Sequence, residues 1–144
     1  MKRITLLLLS LLLIVSLFSG CNWDPYSGKR PYDYGDAKWI SEDPLVWFEV
    51  DTEDEEFYEP GGEATVDGEI MPVELVFVHQ TKTVFISRYI DPDAGLTAEE
   101  YANRESLEGE CLFFPEALVV RVNKERDTLF GGKYDELTFI RKGE

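Results

Sequence analysis

The chain has 144 residues, enough for one domain, and its 29 acidic residues outnumber 14 basic ones to give a formal net charge of −15. Such an excess of acid repels the phosphates of nucleic acids, which excludes that class of partner. It also repels an anionic lipid surface, so stable residence at a membrane would need a further attachment.

The first residues have the pattern of a secretory signal peptide. Lys2 and Arg3 give a positive start, Ile4–Phe18 is apolar except for two serines, and the small residues Ser19 and Gly20 follow. The apolar run is shorter than the roughly 20 residues that a membrane-spanning helix needs. We therefore expect residues 1–20 to be a cleaved signal peptide. An uncleaved N-terminal membrane anchor is the alternative.

The segment Phe18-Ser19-Gly20-Cys21 resembles the lipobox of bacterial lipoproteins, in which Leu, then Ala or Ser, then Gly or Ala precede an invariant Cys. Phe18 departs from the usual Leu but keeps its apolar character. The resemblance implies cleavage between Gly20 and Cys21 and a diacylglycerol thioether on Cys21. Two acyl chains give stable attachment where one is marginal. The resemblance therefore predicts a lipoprotein held at the cell membrane through Cys21, facing outside the cytoplasm.

Loss of residues 1–20 would remove two basic residues and no acid, which takes the net charge from −15 to −17. It would also leave Cys111 without a disulfide partner, because the lipid occupies the Cys21 sulfur. Cys111 enters the apolar run Leu112–Phe114. We expect it to be a small buried hydrophobe rather than a catalytic nucleophile.

Residues 21–36 form a segment rich in turn-forming and aromatic residues, which we interpret as a tether. A plain flexible linker would consist of Gly, Ser and charged residues. The aromatic residues of this tether are instead predicted either to pack on the domain or the lipid headgroups, or to bind a sugar or peptide ligand; they are Trp23, Tyr26, Tyr32 and Tyr34.

The remaining residues, 37–144, have the pattern of a single, mainly β domain. Asp67-Gly68 is the dipeptide that most favours a two-residue hairpin turn. Thr97 and Glu100 form a capping box that begins one short helix, predicted over Ala98–Glu108 with Gly109 just beyond it. Alternating apolar residues predict strands over Ala37–Ile40, Leu45–Val50, Glu63–Val66, Glu69–His79, Thr83–Ile90, Glu110–Phe114, Ala117–Asn123, Thr128–Phe130 and Glu136–Arg141. Hairpins in series predict an antiparallel meander that forms a small barrel or sandwich.

Motifs that would carry catalysis or bind a metal are weak or missing in the sequence. His79 is the single histidine, so a multi-histidine zinc site is excluded. Asp91–Gly95 begins like a calcium loop but lacks the later ligands, and the acid run Asp51–Glu56 is typical of a solvated loop. No catalytic residue, metal or cofactor is therefore predicted.

Two functions remain open for the domain. The first is a non-catalytic module that binds a ligand or an envelope protein through a barrel mouth or the aromatic tether. The alternative is a small surface hydrolase that uses a pair of carboxylates, which would converge in a cleft with raised pKa values.

Overall fold

The computed structural model describes residues 30–53 and 59–143. Within these residues, one short α-helix, α1 (Ala98–Ala102), and three single turns of 3-10 helix accompany the strands, and the first of these turns is Pro31–Tyr34. The strands are β1 (Ala37–Glu42), β2 (Leu45–Val50), β3 (Gly61–Val66), β4 (Glu69–Val78), β5 (Thr83–Arg88), β6 (Ser106–Phe114), β7 (Ala117–Val122) and β8 (Glu136–Lys142).

The eight strands form a closed barrel in chain order. Each strand pairs antiparallel with the next, and β8 returns to pair with β1, where Ile40 lies opposite Ile140. The predicted antiparallel meander with one short helix is thus confirmed, and closure makes it a barrel rather than a sandwich. Closure also removes the unpaired edges that an open sheet would present.

Side chains that alternate along each strand fill the interior of the barrel. Phe48 is central, with its ring centroid 6.2 Å from that of Trp39, 5.2 Å from that of Phe139 and 5.9 Å from that of Phe77. Within the described residues, packing of this kind fills the interior of the eight-stranded barrel with side chains. Other buried members of the core include Val46, Val50, Val73, Leu75, Val84, Ile86, Leu107, Cys111, Leu118, Val120 and Leu137.

Non-strand segments cover both ends of the barrel. At the end where β1 begins, here called the proximal end, the 3-10 turn Pro31–Tyr34 places Tyr32 in the core. At the opposite, distal end, the β7–β8 loop places Leu129 and Phe130 in the core. The buried carboxylate of Asp127 fixes this loop by accepting the backbone N–H groups of Leu129, Phe130 and Gly132 at 3.0, 2.8 and 3.0 Å.

Two local signals behave as the sequence predicts. Asp67 and Gly68 join β3 to β4 with φ of 50° and 84°, and positive φ at both positions is the geometry of a type I′ turn. The Thr97 side chain accepts the Glu100 N–H at 3.2 Å, and Glu100 accepts the Thr97 N–H at 2.8 Å, which completes the capping box.

Several strand ends are shifted by one to four residues, and two larger differences from the sequence prediction have a physical cause. Helix α1 ends at Ala102 instead of Glu108, because β6 begins at Ser106 and directs Leu107 into the core. The predicted strand Thr128–Phe130 is a loop, since Asp127 captures its backbone N–H groups and turns the chain across the distal end. Local alternation reveals neither the strand pairing of β6 nor the hydrogen bonds that the Asp127 carboxylate accepts.

Candidate functional site

The predicted ligand-binding aromatics fall into two groups. Trp23 and Tyr26 lie outside the described residues, as do Gly20 and Cys21 of the predicted lipobox. Tyr32 is 8% exposed, with its ring in the core. The rings of Tyr32 and Tyr34 both contact the barrel, so within the described residues they help to close its proximal end.

Tyr34 is half-buried and contacts the barrel on two sides. Its ring lies edge-on to Trp39, with centroids 5.8 Å apart, and its hydroxyl accepts the Glu116 N–H at 3.1 Å. The guanidinium of Arg141 lies 5.8 Å from the same ring centroid. The Tyr34 ring is therefore packed against the barrel and does not lie on an open surface.

His79 lies at the proximal end against Tyr32. The Tyr32 hydroxyl is 3.0 Å from Nδ1 and 2.5 Å from Nε2, and the two rings meet edge to face. Burial lowers the pKa of His79, and the positive charges of Arg30 and Lys82 lower it further. The imidazole is therefore held neutral, in a position that joins the N-terminal turn to β4.

Cys111 lines a small cavity of about 40 Å³ beside His79 and Phe113. The thiol is 1% exposed, and burial, assisted by the charge of Glu110, raises its pKa to about 12. A nucleophilic cysteine needs the thiolate, which this environment disfavours. Cys111 therefore occupies the buried position that the sequence predicts for it.

A groove of about 380 Å³ lies on the outer wall of the barrel, across β2, β3 and β4. We call it the acidic groove. Gly61 and Gly62 form part of its lining, and a Cβ on Gly62 would come within 1.8 Å of the Trp47 carbonyl oxygen. The absence of a side chain on Gly62 therefore allows the backbones of β2 and β3 to approach closely, whereas nothing lies within 4 Å of a Cβ on Gly61. The other residues that line it are Glu49, Asp51, Glu59, Pro60, Pro72, Val73, Glu74 and Tyr89.

Four carboxylates give the acidic groove its electrostatic character. Glu74 is paired with Arg104 at 2.7 Å. Within the described residues, Glu49, Asp51 and Glu59 form no salt bridge. The half-exposed ring of Tyr89 lies at the side of the groove. Uncompensated carboxylates beside an aromatic ring favour an ammonium or guanidinium group.

Two further observations concern metal ligands and carboxyl groups in the described part of the chain. Within residues 30–53 and 59–143, no group of three His, Cys, Asp or Glu side chains could hold a metal ion. Hydrogen bonds from Arg30 and from Thr52 lower the pKa values of Asp33 and Asp36 respectively. Neither of these two carboxyl groups lines the acidic groove.

Sequence reasoning identified only part of this groove. Asp51 belongs to the predicted acid run, but residues 54–56 of that run lie outside the described part of the chain. Glu49, Glu74 and Tyr89 come together through strand pairing, since Gly61 lies opposite Glu74 and the Tyr89 N–H bonds to the Pro72 carbonyl. Only knowledge of the strand register could have grouped them.

Comparisons with known proteins do not assign the chain to a family. No protein-family model, curated protein or solved structure matches it. Within the described residues, no helix is both long enough and apolar enough to cross a membrane.

Proposed function

We propose that this chain is a membrane-anchored lipoprotein outside the cytoplasm whose barrel is a non-catalytic binding module for a cationic partner. The acidic groove carries the proposal for binding. It combines three carboxylates that form no salt bridge to a described residue with an aromatic ring and an open glycine surface. A lysine-rich or arginine-rich segment of an envelope protein has the complementary chemistry.

The filled barrel explains why the outer wall is the proposed binding surface. Trp39, Phe48 and Phe139 are fully buried in the interior, and segments at both ends cover the core. A ligand in the barrel mouth would have to displace these side chains. The groove is already open and needs no such rearrangement.

The proposed anchor rests on the first 21 residues. A positive start, an apolar run and Ser19-Gly20-Cys21 are what a lipoprotein signal peptide requires. The charge adds a physical reason, because the chain without residues 1–20 would have a net charge of −17 and would be repelled by anionic lipid.

A labelled hexalysine peptide tests the binding proposal. Fluorescence anisotropy with the full-length chain in a non-ionic detergent should show saturable binding that weakens as salt rises. The triple variant Glu49→Gln/Asp51→Asn/Glu59→Gln should bind roughly tenfold more weakly, because three exposed ion pairs are lost together.

The matched control removes three negative charges elsewhere on the surface. Glu69, Glu125 and Glu136 are exposed and line no part of the acidic groove. Their triple change to Gln should leave the affinity near that of the unmodified chain. Equal losses in both triple variants would mean that net charge, and not the groove, attracts the peptide, and would overturn the proposal.

A further inference from the structure

The outer wall of the barrel changes from charged to mainly apolar along β6, β7 and β8. Glu110, Arg121 and Glu136 lie opposite one another in a charged row across these strands. The two rows nearer the proximal end are mainly apolar, and we call them the apolar face. Their outward residues are Leu112, Phe114, Ala117, Val119, Thr138 and Ile140.

Leu112 is enclosed although its side chain faces outward. It alternates along β6 with Cys111 and Phe113, which belong to the core, and it is not itself part of the core cluster. Leu112 is nevertheless only 7% exposed, whereas Ile140 of the same face is 43% exposed. The apolar face is therefore shielded from water at Leu112 and open to it at Ile140.

The described chain begins beside this face. Arg30 lines the cavity of about 40 Å³ together with Cys111 and Phe113, the two residues next to Leu112 on β6. The part of the tether that precedes it, residues 21–29, can extend up to about 30 Å. Three neighbouring strands span only about 10 Å, so this segment is long enough to cross the apolar face.

The composition of residues 21–29 suits an apolar docking surface. Trp23 and Tyr26 carry large rings, and burying such rings against aliphatic side chains is favourable. One acid, Asp24, and one base, Lys29, leave the segment without net charge. A second copy of the chain or an anionic lipid surface would instead be repelled by the acidic domain. Charge therefore favours the tether as the occupant.

We propose that residues 21–29 dock on the apolar face, with the rings of Trp23 and Tyr26 against Leu112, Phe114 and Val119. The tether is then a fixed arm of the barrel instead of a flexible linker. The inference goes beyond the proposed function, because it makes no use of the acidic groove. The groove lies across β2, β3 and β4, so a docked tether leaves it open.

Limited proteolysis tests whether the tether is docked. Trypsin is added to the full-length chain in a non-ionic detergent, and mass spectrometry follows cleavage after Lys29, which requires local opening of the segment. Trp23→Ser should be cleaved there about 3- to 10-fold faster, because the loss of one buried ring raises the population of the open form. Val119→Asp should accelerate the same cleavage by a similar factor from the other side of the contact.

Each variant has a matched control. Ser27→Ala changes the tether without removing a ring, and Ile70→Asp introduces the same acid at a 71% exposed position at the distal end of β4. Both should be cleaved after Lys29 at the rate of the unmodified chain. Val119→Thr keeps the branched shape and should still accelerate cleavage, so the test stands even if the aspartate disturbs folding.

A double variant distinguishes direct contact from two separate effects. If Trp23 packs on Val119, the contact can be lost only once. Cleavage of Trp23→Ser/Val119→Asp should therefore be no faster than that of the faster single variant.

Several outcomes would overturn the proposal. They are unchanged cleavage in Trp23→Ser, equal acceleration in Ile70→Asp, or effects that multiply in the double variant. Protection that rises with protein concentration would indicate a second copy as the occupant. Trp23→Ser should bind the hexalysine peptide as tightly as the unmodified chain does. Failure of the docking proposal is therefore distinguishable from failure of the acidic groove.

Discussion

At the scale of single residues, the Cys111 thiol illustrates how burial controls reactivity. Burial raises its pKa to about 12, so almost no thiolate forms at neutral pH. We predict that a disulfide reagent at pH 8 labels Cys111 at least about 100-fold more slowly in the folded protein than in urea. Mass spectrometry would locate the label. Equally fast labelling of the folded chain would contradict the buried position.

His79 gives the folded protein a predictable dependence on pH. Its pKa is lowered from the ordinary 6.5 by burial and by Arg30 and Lys82, so the unfolded chain takes up the proton first as pH falls. The stabilisation is complete above about pH 6.5 and is lost as pH falls below it. We predict a free energy of unfolding that declines from pH 7 to pH 5, measured by urea titration.

The His79→Gln variant supplies the comparison, because a glutamine can still bond to the Tyr32 hydroxyl but does not titrate. Its stability should decline less over the same pH range. Asp33 and Asp36, whose pKa values are lowered from 3.8, lose their contribution only at lower pH, so they do not obscure the result. Identical pH profiles for the variant and the original chain would refute this role of His79.

Asp127 is the residue that holds the distal loop in place. Its carboxylate accepts three backbone N–H groups and is itself buried. We predict that Asp127→Ala lowers the free energy of unfolding by about 2 kcal/mol, because buried donors lose their acceptor. Asp135→Ala, which removes an exposed ion pair with Lys124, is the control and should cost under about 0.5 kcal/mol. Similar losses in the free energy of unfolding in both variants would contradict the role of Asp127 in holding the distal loop.

At the scale of elements, alternation was sufficient to predict most strands. Val46, Phe48 and Val50 of β2 face inward, as the pattern requires. The end of the helix could not be predicted in the same way, since Gly109 was interpreted as a residue just past the helix. In the structure Gly109 lies within β6, where it allows the β6 and β7 backbones to approach closely.

The close approach at Gly109 leads to a mutational prediction. A Cβ at this position would meet Val120 Cγ1 at 2.3 Å and the Arg121 carbonyl oxygen at 2.9 Å. Gly109→Ala should therefore lower the free energy of unfolding by about 1–3 kcal/mol in urea titration. Gly61→Ala, where nothing lies within 4 Å of the added Cβ, should leave it almost unchanged. If Gly109→Ala left the free energy of unfolding unchanged, β6 and β7 would be able to move apart without cost, which would contradict this prediction.

At the scale of the whole molecule, the sequence predicts the fold better than the site. Hairpins in series indicated the meander, because neighbouring strands in the chain are also neighbours in space. The acidic groove combines residues that are distant in the chain, such as Glu49 with Glu74 and Tyr89. Their grouping depends on the shear of a closed barrel, which alternation and turn residues do not determine.

The proposed membrane attachment concerns the whole molecule and has the most direct test. The full-length chain and its Cys21→Ser variant are expressed in a bacterial host, fractionated, and analysed at the N-terminus by mass spectrometry. We predict a diacylglycerol-modified Cys21 in the membrane fraction of the unmodified chain. We predict an unprocessed or released protein in the variant. A variant that is still cleaved before residue 21 and still stays in the membrane fraction would contradict the lipoprotein account.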